Sequence, residues 1–399
     1  MKKIIFSIIG LLIVLGYSLV LFQYQVRVVR PNIHAKNPPH YYDYKGITSC
    51  HTTRSSGSLD PSEIISLARD LKFDFIFFTE VNVPIDPTLE GYWDNILVLS
   101  GGEFSYLDSR LIYYNSPEEK LPATRGQMQV YLTDILSQAD RANGIITLAK
   151  PFHSHFRWSE KVVPPGLDAV EILNLQSLLD KVWNESKMSA LVSLFVYFFN
   201  PNLAILRLYK TPEEELNLWD QENSKRKLVG LFGHDATAKA VINSRLYFKF
   251  PSYQLLFSIG ANHLLLESEL IGEKQSDRAK IYQALKNGQL YFSLDILADP
   301  KGFFMDVRSK GKIYPLGSTV RREKGAQLIV QLPSDIQVPF EVVIYRNGEP
   351  ILNSNLTRTV LPLEEAGVYR SVVRVIPPLP LLGGKRWIPW VFTNPIFVK

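Results

Sequence analysis

A single cysteine, Cys50, in 399 residues leaves no partner for an internal disulfide and no thiolates for a Cys-rich zinc module. Internal repeats and low-complexity segments are missing as well, and with 46% hydrophobic and 21% charged residues the chain is not disordered on a large scale. No basic stripe interleaved with stacking aromatics occurs, so nucleic acid is not indicated as a partner. Charge is absent from one long run, "IIFSIIGLLIVLGYSLVLF", residues 4–22, which follows Lys2 and Lys3. As a helix this run is about 28 Å long, close to the thickness of a hydrocarbon core. It lacks the shorter apolar region and small-x-small site of a cleavable signal peptide. The run reads as an uncleaved signal anchor, with the membrane as its partner. Lys2 and Lys3 on one side nearly balance Arg27, Arg30 and Lys36 on the other, with a preference for an inside N-terminus and a folded part exported to the periplasmic or extracellular side.

The charge is unevenly divided. Residues 1–43 hold five Lys and Arg against one acid, and residues 301–399 hold 14 against seven, which leaves the middle of a +5 chain net acidic. Opposite signs favour docking of the last segment on the middle one, or a basic tail facing anionic headgroups.

The length suits two folded units. The spacing of apolar residues divides the chain into an anchor over 1–22, a proline-rich stalk over 23–43, an α/β unit over 44–299 and a β unit over 300–399. In the α/β unit, short buried runs ("FDFIFFT", "NILVLSGGE", "GIITLAKP", "LDAVEILN", "LVGLFGHD") alternate with helical patterns, as parallel strands of a barrel or sheet do. "DPSEIISLARDLK" predicts a helix capped by Asp60 with Pro61 at its first position and Glu63 three residues beyond the cap, and "MQVYLTDILSQADRANG" one that stops at Asn143-Gly144. The apolar stretch 189–209, broken by Asn200-Pro201-Asn202, reads as a buried helical pair, membrane contact being the second reading. "SKRK", 224–227, reads as a solvated helix end. From Phe303 the segments shorten and alternate, and Asn347-Gly348 marks a two-residue hairpin, so an antiparallel β-sandwich is expected there.

In a parallel α/β fold the chemistry sits where strands end. The polar residues there are carried by "GITSCHTTRSSGSLDPSEIISLARDLKFDFIFFTEVN", "LSGGEFS", "LAKPF", "GLDAVEILN" and "GLFGHDATA". In this order and spacing they resemble the motifs of the PHP superfamily, the polymerase and histidinol phosphatase metallohydrolases, in the branch with a C-terminal β-domain; "WVFTNPIFV" is similar to that branch's last strand. The resemblance implies a distorted (β/α)7 barrel with a C-terminal antiparallel β-sandwich, whose side chains hold up to three divalent ions that activate water for phosphoester hydrolysis.

Matched position by position, the resemblance leaves His51, Glu103 and Asp235 as metal ligands, and Glu80 keeps an acid at the end of its strand. Ser49, Val81, Lys150 and Thr237 stand where imidazoles are expected, and Ile47 where an acid is. Three ligands from three strands would hold one ion at most, and two carboxylates suit Mg²⁺ or Mn²⁺ better than Zn²⁺; Fe completes the candidates, and no ion at all is the alternative. His153, His155 and His234 lie beside the matched positions and are the substitutes open to a rearranged site, although each also reads as an ordinary hydrogen-bonded histidine.

Lys150 is the change with the largest electrostatic effect. Two unit charges 4 Å apart attract by about 4 kcal/mol at an effective dielectric of 20, enough for an ammonium to replace an ion among acids. Lys150 is therefore expected to pair with Glu103, Asp235 or Glu80, and it and Glu80 are the candidate catalytic residues if any chemistry survives. Cys50 should face the opposite side of its strand as core, and Glu171 reads as a supporting acid. The function expected is a membrane-anchored protein of metallohydrolase ancestry that binds an unknown ligand or protein partner or serves as a scaffold. The alternatives are an active hydrolase with a reduced metal site, and an envelope module that binds proteins or glycans through its sandwich.

Overall fold

The computed structural model describes residues 9, 15–26, 28–30, 37–83, 87–114, 124–138, 144–159, 163–243, 246–333, 336–380 and 384–399. Strand β1 (Tyr42–Cys50) runs parallel to β2 (Phe75–Val81), and β2 parallel to β3 (Ile96–Tyr106). All residues of β3 are buried, which explains why it reads as an unbroken apolar run. Strand β4 (Ser109–Tyr114) turns back antiparallel between β3 and β5 (Ile145–Ala149), and β6 (Ala169–Asn174) and β7 (Val229–Gly233) continue in parallel. The ring closes where Cys50 bridges Ala236 just past β7, with the His51 N–H donating to the Ala236 carbonyl at 3.0 Å. The ends of β1, β3, β5 and β7 thus converge on one mouth.

One glycine shows how tightly this ring is packed. Gly46 on β1 lies opposite Phe75 on β2, and a Cβ at position 46 would come within 1.8 Å of the buried Phe75 ring. Gly46→Ala is therefore expected to destabilise the protein by about 1–3 kcal/mol, the cost of overpacking a filled core, as read by urea denaturation.

Helix α1 (Pro61–Asp70) begins as its sequence predicts, and the Glu63 carboxylate accepts from the Asp60 N–H at 3.1 Å. Helix α2 (Arg125–Ser137) ends earlier than expected, with the Gln138 N–H bonded to the Ile135 carbonyl; Asn143 of the predicted stop lies outside the described residues. After α3 (Leu175–Glu185) come α4 (Lys187–Phe199) and α5 (Pro201–Leu208), and Asn200 caps α5 through the Leu203 N–H at 3.0 Å. The break at Asn200-Pro201 is as read. The expectation of a buried pair fails for α4, whose Leu191 and Phe198 are 53% and 79% exposed.

The C-terminal strands form two sheets. Lys312–Tyr314, Phe304–Ser309, Gln327–Gln331 and Arg358–Pro362 make one of four strands. The other contains Phe340–Arg346, Glu349–Ser354, Gly367–Val375, Ile388–Thr393 and Ile396–Val398, with Asn347 and Gly348 at φ 54° and 85° in the hairpin turn. Buried residues of both, such as Val330 and Val373, share one core. The second sheet is continuous with the barrel, because β8 (Ala261–Leu266) pairs with β1, β9 (Leu290–Ser293) pairs with β8, and Ile388–Thr393 pairs with β9. Asn394 reinforces the join by hydrogen-bonding both the N–H and the carbonyl of Gly230 at 2.8 and 2.9 Å.

"SKRK" ends a helix (Glu213–Asn223) with Ser224 and Lys225 exposed, as read, but its last two residues depart from the reading. Arg226 donates to the carbonyls of Leu167 and Pro164 at 2.5 and 2.9 Å, and the half-buried Lys227 ammonium donates to the Gly317 carbonyl at 2.7 Å, so this segment ties the barrel to the C-terminal part. Of the expected anchor, residues 4–8 and 10–14 lie outside the described residues; residues 15–23 are helical, and among the described residues no helix is long and apolar enough to cross a membrane.

Candidate functional site

His51 leaves the end of β1, Glu103 lies on β3, Lys150 follows β5 and Asp235 follows β7, and all four side chains are buried at the barrel mouth. The His51 Nε2 lies 3.1 Å from Asp235 Oδ1 and 3.4 Å from Glu103 Oε2. The Lys150 Nζ faces the other oxygen of each acid, 2.8 Å from Asp235 Oδ2 and 3.3 Å from Glu103 Oε1, and donates to Gln176 Oε1 at 3.3 Å. The expected pairing of Lys150 thus falls on two of the three acids considered.

Two of these residues are held in unusual backbone conformations. Lys150 and Asp235 have φ of 50° and 43°, the left-handed region that side chains with a Cβ visit at a cost of about 1–2 kcal/mol each. Each N–H is held by a neighbouring side chain: Lys150 N–H donates to Glu171 Oε2 at 3.2 Å and Asp235 N–H to Ser49 Oγ at 2.9 Å. Ser49 and Asn174 in turn donate to Glu171, at 3.4 and 2.9 Å. Glu171 has room only because position 233 is glycine, where a Cβ would come within 2.1 Å of its carboxyl carbon. Ser49, where the sequence resemblance implies an imidazole, is a backbone anchor here.

Burial works against every charge at the mouth, and the partners decide the outcome. Burial pushes His51 down, but Asp235 and Glu103 lift it to about 9. Burial opposes ionisation of Asp235 and Glu103, but Lys150 and His51 hold both below the usual carboxylate range. Lys150 is raised despite its burial by Asp235 and Glu103. Glu171 is pushed up to about 8 by burial and the charge of Asp235. The Lys150 ammonium and the His51 ring thus face the two carboxylates from opposite oxygens.

The other predicted residues lie elsewhere. Glu80 does not join the cluster: its carboxylate accepts from the Thr52 N–H at 3.1 Å, the Thr52 hydroxyl at 2.6 Å and the Ser55 hydroxyl, and so pins the loop after β1. His234 is no substitute ligand, since its Nε2 meets the Gly260 carbonyl at 2.9 Å and burial lowers it to about 3. His153 and His155 lie beyond the Lys150 turn, where the His155 N–H donates to His153 Nδ1 at 3.1 Å and burial lowers His153. Val81 and Thr237 are half-buried and carry no imidazole. Cys50 is fully buried in the core.

Arg110 is the functional candidate that strand-end motifs miss. Ser105 on β3 pairs with Arg110 on β4 and Glu103 with Ile112, which makes Arg110 a diagonal neighbour of Glu103. Its Nε lies 3.8 Å from Glu103 Oε1 and its guanidinium 4.7 Å from the centre of the Phe156 ring. The signal in the sequence is the tight turn after "GGEFSY", which returns an arginine alongside the acid.

His51, Glu103 and Asp235 each offer a ligand atom within 4.8 Å of the others, a spacing that fits a single divalent cation. A cluster of two or three ions does not fit these residues. An ammonium already faces both carboxylates, and His51 Nδ1 has no hydrogen-bond partner among the described residues. A metal-bound imidazole almost always donates its second N–H to an oxygen that fixes the tautomer.

No family model and no curated protein matches the chain. Among solved structures, the chain is similar to a two-domain Bacteroides vulgatus protein containing a predicted PHP-like metal-dependent phosphoesterase, at 11% identity and a TM-score of 0.41 over 90% of this chain and 98% of that one. It is also similar to a Bifidobacterium adolescentis structure described as a metal-dependent phosphoesterase, at 13% identity and a TM-score of 0.29 over 51% of this chain and 89% of that one. Likeness at these identities and TM-scores says nothing about chemistry, which has to be read from the chain's own side chains.

Proposed function

We propose that this chain is a membrane-anchored protein built on a PHP-type barrel, of metal-dependent phosphoesterase ancestry, whose metal site has been replaced by an internal ion-pair network and whose mouth now serves binding or scaffolding. The observation that carries the reading is the Lys150 ammonium, 2.8 and 3.3 Å from the carboxylates of Asp235 and Glu103. A fixed positive charge there supplies the neutralisation that a cation would, and repels a cation brought close to it. The uncharged run over 4–22 supports an anchor, and the basic C-terminal segment supports contact with anionic headgroups, with the folded part on the exported side.

The competing reading is a hydrolase that uses one ion, and the spacing of His51, Glu103 and Asp235 favours it. In that enzyme His51, Glu103 and Asp235 would hold an ion that supplies activated water, while Arg110 and Lys150 would orient an anionic substrate. Elemental analysis and calorimetry of the fragment from Asp43 onward separate the two. The proposal expects no stoichiometric Mn, Mg, Zn or Fe and no heat of binding with excess Mn²⁺. Stoichiometric metal, with phosphodiesterase activity lost in His51→Ala, would establish the hydrolase instead.

A further inference from the structure

A helix on the surface of a soluble domain turns its polar face outward. Helix α4 does not: from Met188 to Phe199 it carries no charge, and Met188, Leu191, Phe195 and Phe198, spaced by three and four residues along one face, are all exposed. The described end of the N-terminal apolar run lies beside it. Leu21 packs with Val196 and Leu203, and the Asn200 side-chain amide donates to the carbonyls of Leu21 and Tyr24 at 2.9 and 2.8 Å. Leu19 and Phe22 of that run are 62% and 73% exposed. Two uncovered apolar surfaces are thus joined by buried, hydrogen-bonded packing.

Between α3, α4 and α5 lies a cavity of about 610 Å³, within the range of about 300–1,000 Å³ that small-molecule ligands occupy. Its wall is mostly apolar, with Leu179, Trp183, Leu194 and Ile205 among its residues, and its polar end includes His153 and Gln176. Gln176 Oε1 accepts a hydrogen bond from the Lys150 ammonium at 3.3 Å, and the Phe156 ring lies 5.5 Å from that ammonium while also lining the cavity. The cavity runs from the exposed side of α4 to the edge of the charged mouth.

We infer that this cavity binds one acyl chain of a bilayer lipid, with the headgroup at the His153 and Gln176 end, and that α4 lies in the membrane surface to admit it. An apolar helix face next to a membrane-length apolar run is covered by the same bilayer, and a groove that opens on that face is filled from it. The inference rests on the anchoring proposed above and is independent of the metal content of the mouth.

The test uses the full chain in vesicles of phosphatidylethanolamine and phosphatidylglycerol, doped with a phosphatidylglycerol that carries a diazirine on its palmitoyl chain. After illumination, peptide mapping is expected to find adducts on the buried lining of the groove, at Val182, Ser193 and Ile205. Ala190→Trp, which fills the groove, is expected to lower that labelling by about tenfold, equivalent to a loss of about 1.4 kcal/mol in binding. The wild-type map stands alone if that variant fails to fold. Adducts confined to Met188, Phe198 and residues 4–22 would overturn the groove while leaving the anchor, and adducts at neither place would overturn both. A dimer cross-linked through Met188 and Phe198, without lipid adducts, would also overturn the inference.

Discussion

Lys150→Met is expected to lower the unfolding free energy by about 3–5 kcal/mol at neutral pH, the cost of leaving buried charges without their partner. Methionine keeps most of the volume of the side chain, so the loss reports charge more than packing. Glu103 and Asp235 are depressed in the folded protein, and their contribution is present above the ordinary carboxylate range and lost as pH falls below it toward their depressed values. Without Lys150 that acid dependence should flatten, because the depression itself depends on the ammonium. Excess Mn²⁺ should return part of the lost stability to Lys150→Met and none to the wild type, since only the variant presents two carboxylates and His51 with no competing cation. Guanidinium denaturation across pH, with and without Mn²⁺, measures all three effects. A variant as stable as the wild type would show that the carboxylates do not need the lysine.

The second large effect lies at the far end of β1. His263 on β8 meets Asp43 Oδ1 at 2.9 Å through Nδ1 and Asp295 Oδ1 at 3.5 Å through Nε2, while Lys45 reaches Asp295 at 2.5 Å and the Tyr291 hydroxyl donates to Asp43 at 2.6 Å. Burial pushes His263 down, but Asp43 and Asp295 lift it to about 10 from an ordinary 6.5. A raised pKa contributes stability that is complete below 6.5 and is lost as pH rises through about 10. The wild-type melting temperature should therefore fall between those limits, with His51, at about 9, adding to the decline. His263→Leu should cost about 3 kcal/mol at pH 7 by leaving the buried Asp43 without its imidazolium, with Asp295 still held by Lys45, and should flatten the alkaline decline to the part due to His51. Calorimetric scans from neutral pH upward give both quantities, and an unchanged slope in the variant would mean that His263 is neutral in the folded state.

The sequence foretells the parts of this molecule that depend on local patterns. Apolar runs of strand length mark β2, β3 and β5 to β7, Asp60-Pro61 marks the start of α1, and Asn347-Gly348 the C-terminal hairpin, because caps and turns are written in adjacent residues. The pairing of Lys150 with acids follows from charge alone once its strand end is placed. Features that depend on residues far apart in the chain escape. Asp43, His263 and Asp295 meet only because β8 folds back antiparallel on β1. Arg110 reaches Glu103 across a hairpin, and the role of Arg226 and Lys227 as a bridge needs the carbonyls of Leu167 and Gly317 beside them. Glu80 shows the reverse error: its place in the motif marks it as chemical, yet three donors from Thr52 and Ser55 occupy it.

Anomalous diffraction at the manganese edge, from crystals grown with Mn²⁺, tests the central claim most directly. The account predicts no manganese peak among His51, Glu103 and Asp235, and the Lys150 ammonium still in contact with both carboxylates. A manganese ion bound by His51, Glu103 and Asp235, with Lys150 turned away, would contradict it.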